Sequence, residues 1–262
     1  MFVYEAFGLT GAGYVLHKKH SYRILCFIKH LIMNTKILQK AVVALGVAAA
    51  VTPLLVLPMS FIFPFIVPKI LFFRSVVILS AVCYAGLLFS SFQSFRPRLQ
   101  ALHIAVLFFF FSLVVSTFVG VDWYKSFWDN HERMLGLFTL LHFGIYYFAL
   151  STVVRDRASW AWILRALFGA GVVVMLIGVY QKIDPNFLLN NGSNRVSATL
   201  GNSIYYGGFG LFLFFAALQQ WFVESNIWWK RFLLLVCALG FVGVFLSGTR
   251  GSMLGLIVGG GV

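Results

Sequence analysis

The sequence predicts an all-α protein whose helices cross a membrane repeatedly and pack as a bundle. The chain of 262 residues is 61% hydrophobic and only 10% charged, which is too apolar for the surface of a soluble domain. Its apolar residues form runs of about 20, the length of a helix that spans a bilayer. Such runs lack the alternation of a transmembrane β-strand, so we expect helices to satisfy the backbone throughout.

Seven apolar runs have the length of a full span, and an eighth is about half as long. They cover residues 41–59, 70–90, 101–119, 135–154, 160–180, 205–223, 232–247 and 252–262. We therefore expect about seven full spans and a truncated eighth within a transmembrane domain at residues 41–262. Because the last run is short, the sequence is interpreted as the N-terminal portion of a longer protein.

Residues 1–40 form a basic arm ahead of the first predicted span. Lysines, arginines and histidines are scattered between positions 17 and 30, and no small-residue cleavage site follows a short apolar core, so the arm does not resemble a secretory signal. It is either an amphipathic cytoplasmic segment on anionic lipid or the product of a misassigned start. The second interpretation, with Met33 as the true first residue, is preferred.

Basic residues are enriched in alternate loops, and this bias predicts the orientation. Loops near residues 96–98, 155–165 and 230–231 are basic, whereas the intervening loops carry fewer cations and most of the acidic residues. The positive-inside rule then places the N-terminus in the cytoplasm and both Arg195 and Arg250 on the outer side. The net charge of +13 fits basic loops and contact with anionic membrane lipids, and we expect no nucleic-acid partner.

Two arginines stand out on the predicted outer side. Arg250 interrupts apolar sequence in SGTRGS at residues 247–252, and Arg195 opens RVSATLGN at residues 195–202. A charge in hydrocarbon is costly, so such an arginine is paired, anchored at the interface or used on a substrate. Two interpretations follow: each arginine anchors a helix end among headgroups, or the two forks hold a pyrophosphate whose lipid tail lies in the bilayer.

Neighbouring polar residues are candidates for completing such a site. Ser247 and the adjacent glycines would let a headgroup approach the backbone. Asn202, Tyr205 and Tyr206 could line a polar cavity that contacts sugar, although Asn202 also fits a helix cap. Arg133, in the aromatic outer loop at residues 121–134, is a further candidate for the cavity.

The sequence carries no pattern typical of a metal or cofactor site. The three cysteines lie far apart, and no P-loop, dinucleotide-binding glycine pattern or haem motif occurs. The acidic residues of the loop at 121–134 are interpreted as a solvated face. His131, in the same loop, is the one outer histidine and thus the one candidate general base within the chain.

Three stretches resemble the O-antigen ligase and O-antigen polymerase superfamily of bacterial envelope enzymes. They are SFWDNHERMLG at residues 126–136, RVSATLGN at residues 195–202 and LSGTRG at residues 246–251. They occur in the family's order, and with the span pattern the resemblance covers residues 36–262. One departure is that Asn202 is followed by serine and isoleucine, where the family frequently has a step that contains proline.

The resemblance implies a metal-independent glycosyltransferase in the bacterial inner membrane, with no cofactor. Its donor would be a glycan on undecaprenyl pyrophosphate, held by Arg195 and Arg250 on the periplasmic face, and the acceptor is left open. The family's general base is a histidine in a later outer loop, expected beyond Val262, so we expect this chain to bind donor without transferring glycan. The alternative function is a lipid-linked glycan transporter or a non-catalytic binding protein.

Overall fold

The computed structural model describes residues 34–57, 61, 63–130 and 132–261, and in these ranges the regular structure is helical, without strands. Most of the expected basic arm, and His131, lie outside the described residues. The helices are α1 (Thr35–Ala50), α2 (Val67–Ser90), α3 (Phe92–Phe95), α4 (Ala101–Val119), α5 (Trp123–Trp128), α6 (Leu137–Val153), α7 (Arg157–Ile183), α8 (Ser203–Val223), α9 (Ile227–Leu246) and α10 (Arg250–Gly260).

Several helices begin earlier than the apolar runs because polar side chains cap them. Asn34 accepts a hydrogen bond from the N–H of Ile37 at 3.3 Å, so α1 begins at Thr35 and residues 35–40 belong to it and not to the arm. Asp156 caps α7 through the N–H of Ser159 at 2.6 Å. Basic residues at the start of a helix thus extend it beyond the apolar run that marks the span.

Among the described residues, six helices are long and apolar enough to cross a membrane, so the predicted count of seven full spans is not reached by this measure. The exception is α6, whose 17 residues give a length of about 26 Å, short of a hydrocarbon core of about 30 Å. The eighth run forms α10, a helix of 11 residues.

An arginine inside α2 ties that helix to the start of α6. Arg74 donates from Nε to Thr139 Oγ1 at 3.1 Å and from Nη2 to the Met134 carbonyl at 3.2 Å, and its guanidinium lies 4.9 Å from the ring centre of Phe138. These partners compensate a charge that would otherwise be costly in a span. Sequence analysis does not single out Arg74, because its partners lie about 60 residues away.

A small group of buried residues, Ala49, Phe73, Val76 and Val77, packs α1 against α2, and two larger groups organise the rest of the bundle. One group joins α1, α2, α6 and α7 through Leu38, Val42, Leu87, Leu150 and Ile163. The other joins α7, α8 and α9 and includes buried residues of the loop that precedes α8. Because α7 contributes to both, it lies at the centre of the bundle, whereas α4 remains largely exposed.

Helices α8 and α9 cross closely at a pair of glycines. A Cβ on Gly240 would lie 2.7 Å from the carbonyl oxygen of Gly210, and a Cβ on Gly210 would lie 2.9 Å from that of Gly240. Both obstructing atoms are backbone, so no side chain can move aside. Small residues at a crossing allow helices to approach closely in a membrane.

Gly240→Ala is expected to lower the free energy of unfolding by about 1–3 kcal/mol, because the added methyl group forces the two backbones apart. The matched control is Gly208→Ala, since a Cβ there meets nothing within 4 Å. The control is expected to be neutral or slightly stabilising, because alanine favours a helix over glycine. Denaturation in detergent measures both, and equal stability of the two variants would contradict the close crossing.

Candidate functional site

A tight turn between α9 and α10 places Arg250 at the first position of α10. Gly248 adopts a φ of +59°, in the left-handed region that favours glycine. The buried Ser247 hydroxyl donates to the Val244 carbonyl at 2.6 Å and accepts from the N–H of Thr249 at 3.1 Å. This hydroxyl therefore fixes the reversal from which α10 begins.

Arg195 contacts this same turn. Its Nε donates to the Ser247 carbonyl at 3.0 Å, and its Nη2 donates to Thr249 Oγ1 at 3.3 Å. The N–H of Val196 also donates to the Leu246 carbonyl, at 3.1 Å. Arg195 and Arg250, remote in sequence, thus lie at one corner of the bundle, on either side of Thr249.

The two guanidinium groups are exposed and lack acidic partners in the described part of the chain. The Arg250 side chain makes no hydrogen bond to any described residue, and Arg195 uses two of its five side-chain N–H donors on the turn. No ion pair forms between described residues. The corner therefore presents uncompensated positive charge and free N–H donors, a combination that suits an anion with several oxygens.

A fully buried glutamine holds the segment that carries Arg195. Gln181, in the last turn of α7, accepts from the N–H groups of Ser197 and Ala198 at 3.2 and 2.8 Å. Its amide nitrogen donates to the Asn190 carbonyl at 2.7 Å. Ala198 has a φ of +46°, unusual for a residue with a side chain, so the glutamine stabilises a strained backbone. The sequence alone does not single out Gln181, because its partners lie 9–17 residues away in the following loop.

A lysine holds the other side of the same segment. Lys69, in the first turn of α2, donates to the carbonyl oxygens of Leu55, Phe65 and Thr199 at 2.6, 2.7 and 2.6 Å. Thr199 in turn donates to the Pro53 carbonyl at 2.8 Å. The ammonium group thus joins three chain segments, and its three donors are all used within the protein.

A small pocket lies between this segment and the N-terminal ends of α2 and α8. It has a volume of about 210 Å³ and brings together Arg133, Tyr205 and Lys69 over an apolar wall that includes Phe65, Ile70 and Leu200. Two of the sequence-predicted cavity residues, Arg133 and Tyr205, therefore share one pocket. The wall is suited to hydrocarbon, and Arg133 adds a cation at its rim.

Asn202 and Tyr206, also predicted to line a cavity, both support the fold instead. Asn202 caps α8 by accepting from the N–H of Ile204 at 2.9 Å, which is the alternative that the sequence allows. Tyr206 is fully buried in the bundle, and its hydroxyl donates to the Met175 carbonyl at 3.2 Å. Tyr206 therefore packs between helices and does not reach the pocket that its neighbour Tyr205 lines.

The described histidines lie away from this corner. His142 is buried in α6, where its Nδ1 is 2.7 Å from the Phe138 carbonyl. His103 lies at the opposite end of the bundle, in α4. In the described ranges, no group of three or more His, Cys, Asp or Glu side chains converges on a point that could hold a metal.

The corner and the pocket are connected through the segment from residue 195 to residue 205. Thr249 donates to the Ser203 carbonyl at 3.2 Å, which joins the turn to the start of α8. An amphiphile with an anionic head and a hydrocarbon tail matches this pairing of charge and apolar wall. No protein-family model, no curated protein and no solved structure matches the chain.

Proposed function

We propose that this chain provides the donor-binding site of a membrane glycosyltransferase of the O-antigen ligase type. The observation that carries the proposal is the contact of Arg195 with the turn that starts α10 at Arg250. It brings the exposed Arg195 side chain to the turn that leads into the exposed Arg250, and neither arginine forms an ion pair with a described carboxylate. The donor is a glycan on undecaprenyl pyrophosphate, and its pyrophosphate occupies this corner.

The two arginines act on the leaving group of the reaction. An acceptor hydroxyl attacks the anomeric carbon of the glycan, the bond between that carbon and the pyrophosphate oxygen breaks, and the hydroxyl proton passes to a general base. Negative charge grows on the departing pyrophosphate as its bond breaks. The Arg195 guanidinium, already oriented by Ser247 and Thr249, stabilises that charge without reorganising, and Arg250 adds a second positive charge, which favours the transition state.

The proposed topology has seven spans with a cytoplasmic N-terminus in the bacterial inner membrane. It counts α6 as a span, which is supported by its course beside α2. Arg74 contacts Thr139 at the start of α6, and Arg155, just beyond its end, donates to the Ser94 carbonyl. The two helices therefore run parallel along most of their length, and α6 reaches nearly as far across the bundle as α2.

Arg250→Gln tests the proposal directly because it removes the charge without breaking any hydrogen bond in the described structure. The variant is expected to bind undecaprenyl pyrophosphate about 10–100-fold more weakly, the loss of one charge-assisted contact of about 1.5–3 kcal/mol. Arg250→Lys keeps the charge but loses the planar guanidinium group that can donate two parallel hydrogen bonds, so an intermediate affinity is expected. Binding is measured by titrating the lipid into the purified protein in detergent.

Arg231→Gln is the matched control, an exposed arginine in α9 at the opposite end of the bundle, stacked 5.0 Å from the Trp228 ring centre. It removes the same charge and is expected to leave the affinity unchanged. Undecaprenyl monophosphate should bind less tightly than the pyrophosphate if both arginines take part. Equal affinities of the wild type and Arg250→Gln for the pyrophosphate would rule out this donor site.

A further inference from the structure

A groove lies at the end of the bundle opposite the arginine corner, between the first turns of α1 and α7. Its volume is about 810 Å³, and it is open to the surface. The charge bias of the loops predicts that this end faces the cytoplasm. Nothing in the proposed donor site contributes to the groove, so the inference that follows is independent of the proposed function.

The head of the groove is cationic. Lys36 and Lys40 are exposed and make no side-chain hydrogen bond to any described residue. Arg155 donates from Nε to the Thr152 carbonyl at 3.1 Å and from Nη2 to the Ser94 carbonyl, which leaves three N–H donors. The carboxylate present, Asp156, accepts from the N–H of Ser159 as a helix cap.

The deeper wall of the groove is apolar. Val43, Ala44 and Val47 continue the face of α1 that carries the two lysines, at spacings typical of one helix side. The rise from Lys36 to Val47 is about 16 Å, close to the depth of one hydrocarbon leaflet, about 15 Å. Trp162 of α7 completes the opposite side and is 60% exposed. Indole side chains favour the headgroup level of a membrane.

A second cationic pocket adjoins the groove at Arg155. It has a volume of about 210 Å³, adds Arg96 and Arg98, and is lined by no carboxylate. The buried Nδ1 of His103, also in its lining, has no hydrogen-bond partner among the described residues. The positive charge at the head of the groove therefore extends further along the same membrane face.

We propose that the groove binds an anionic glycerophospholipid. The phosphate lies among Lys36, Lys40 and Arg155, and an acyl chain follows Val43 and Val47 toward the middle of the bilayer. Charge complementarity selects this occupant, because the basic residues between positions 17 and 30 would repel the head of the groove if the N-terminal arm occupied it. A soluble phosphate would match the cations but leave the apolar wall uncovered.

Native mass spectrometry of the full chain tests the proposal by counting retained lipids. Wild-type protein is expected to retain phosphatidylglycerol or cardiolipin in preference to phosphatidylethanolamine. Lys36→Gln with Lys40→Gln should lower that retention on the order of tenfold. The matched control removes two cations from the same end of the bundle, Lys230→Gln with Arg231→Gln, and should retain lipid as the wild type does.

Equal losses in the two double variants would overturn the proposal, because they would indicate general attraction of anionic lipid to a basic surface. Equal retention of phosphatidylethanolamine, or full displacement by inorganic phosphate, would also overturn it. Ala44→Phe fills the apolar wall and leaves the lysines intact, so it should lower retention as well. Unchanged retention in that variant would contradict the placement of the acyl chain.

A photo-crosslinking amino acid in place of Ala44 identifies the occupant in membranes. Crosslinks to phospholipid support the proposal. Crosslinks to residues of the chain's own N-terminal arm, or to a second copy of the chain, would overturn it in favour of a protein occupant.

Discussion

Gln181→Leu is expected to abolish most binding of the proposed undecaprenyl pyrophosphate donor, although Gln181 is fully buried and cannot touch that ligand. The substitution leaves the N–H groups of Ser197 and Ala198 and the carbonyl of Asn190 without their partner. Each unsatisfied buried group costs about 1–3 kcal/mol. The total, about 3 kcal/mol or more, is enough to release the segment that carries Arg195.

Amide hydrogen exchange measures this release independently of any ligand. The N–H groups of Ser197 and Ala198 are expected to exchange on the order of 100-fold faster in Gln181→Leu, as about 3 kcal/mol of local stability is lost. Gln219→Leu is the matched control, since Gln219 is exposed in α8 and its side chain bonds to no described residue. Its exchange at residues 197 and 198 should not change.

Separate readouts distinguish the structural role of Gln181 from the proposed function. Faster exchange together with unchanged affinity for undecaprenyl pyrophosphate would confirm that Gln181 holds the segment that carries Arg195, but it would contradict the proposed donor site. Unchanged exchange would show that Gln181 does not hold this segment. Gln181→Glu keeps an acceptor for both N–H groups but loses the donor to Asn190 and adds a buried charge, so it should also open the segment.

Lys69→Met is expected to produce the second large effect, a loss of about 3 kcal/mol or more in stability. The ammonium group donates to three carbonyl oxygens from separate segments, at 2.6–2.7 Å. Hydrogen bonds to a charged group contribute about 1.5–3 kcal/mol each. Methionine preserves the length of the side chain, so the loss reports the missing donors and not a cavity.

Thermal unfolding in detergent measures the effect, with Lys125→Met as the control. Lys125 is exposed in α5, and its side chain contacts no described acceptor. The control should unfold at the wild-type temperature. Lys69→Arg restores the charge, but its planar fork cannot direct three donors at carbonyls arranged around one nitrogen, so only partial recovery is expected. Wild-type stability in Lys69→Met would show that the three contacts contribute little.

The helices follow from the sequence alone because their signal is local. The run at 101–119 becomes α4 with the predicted bounds. The ends of helices are less predictable where a polar side chain caps the helix. Asn34 caps α1, which therefore begins six residues before the apolar run. The length of α6 also lies just below that of the helices long enough to cross a membrane, so its own sequence does not assign it to either group.

The residues of the candidate site follow partly from the sequence and partly from how the helices pack. The sequence singles out Arg195 and Arg250, because an arginine beside apolar sequence is costly and conspicuous. It also names Tyr205 and Tyr206 together, and only the rotation of α8 decides that Tyr205 lines the pocket while Tyr206 is buried. Adjacent residues on a helix point about 100° apart, so packing against α7 and α9 assigns them different surroundings.

What the sequence by itself determined is an all-α, multi-pass membrane protein with two exposed cations worth testing. Only the tertiary structure decided how Arg195 is held. Gln181 and Lys69 carry no local pattern, since a glutamine at a helix end and a lysine after a proline are common. Their importance comes from hydrogen bonds to segments distant along the chain, one of them 130 residues away between Lys69 and Thr199. Apolar runs report a residue's own environment, whereas partners of buried polar groups exist only once the helices pack.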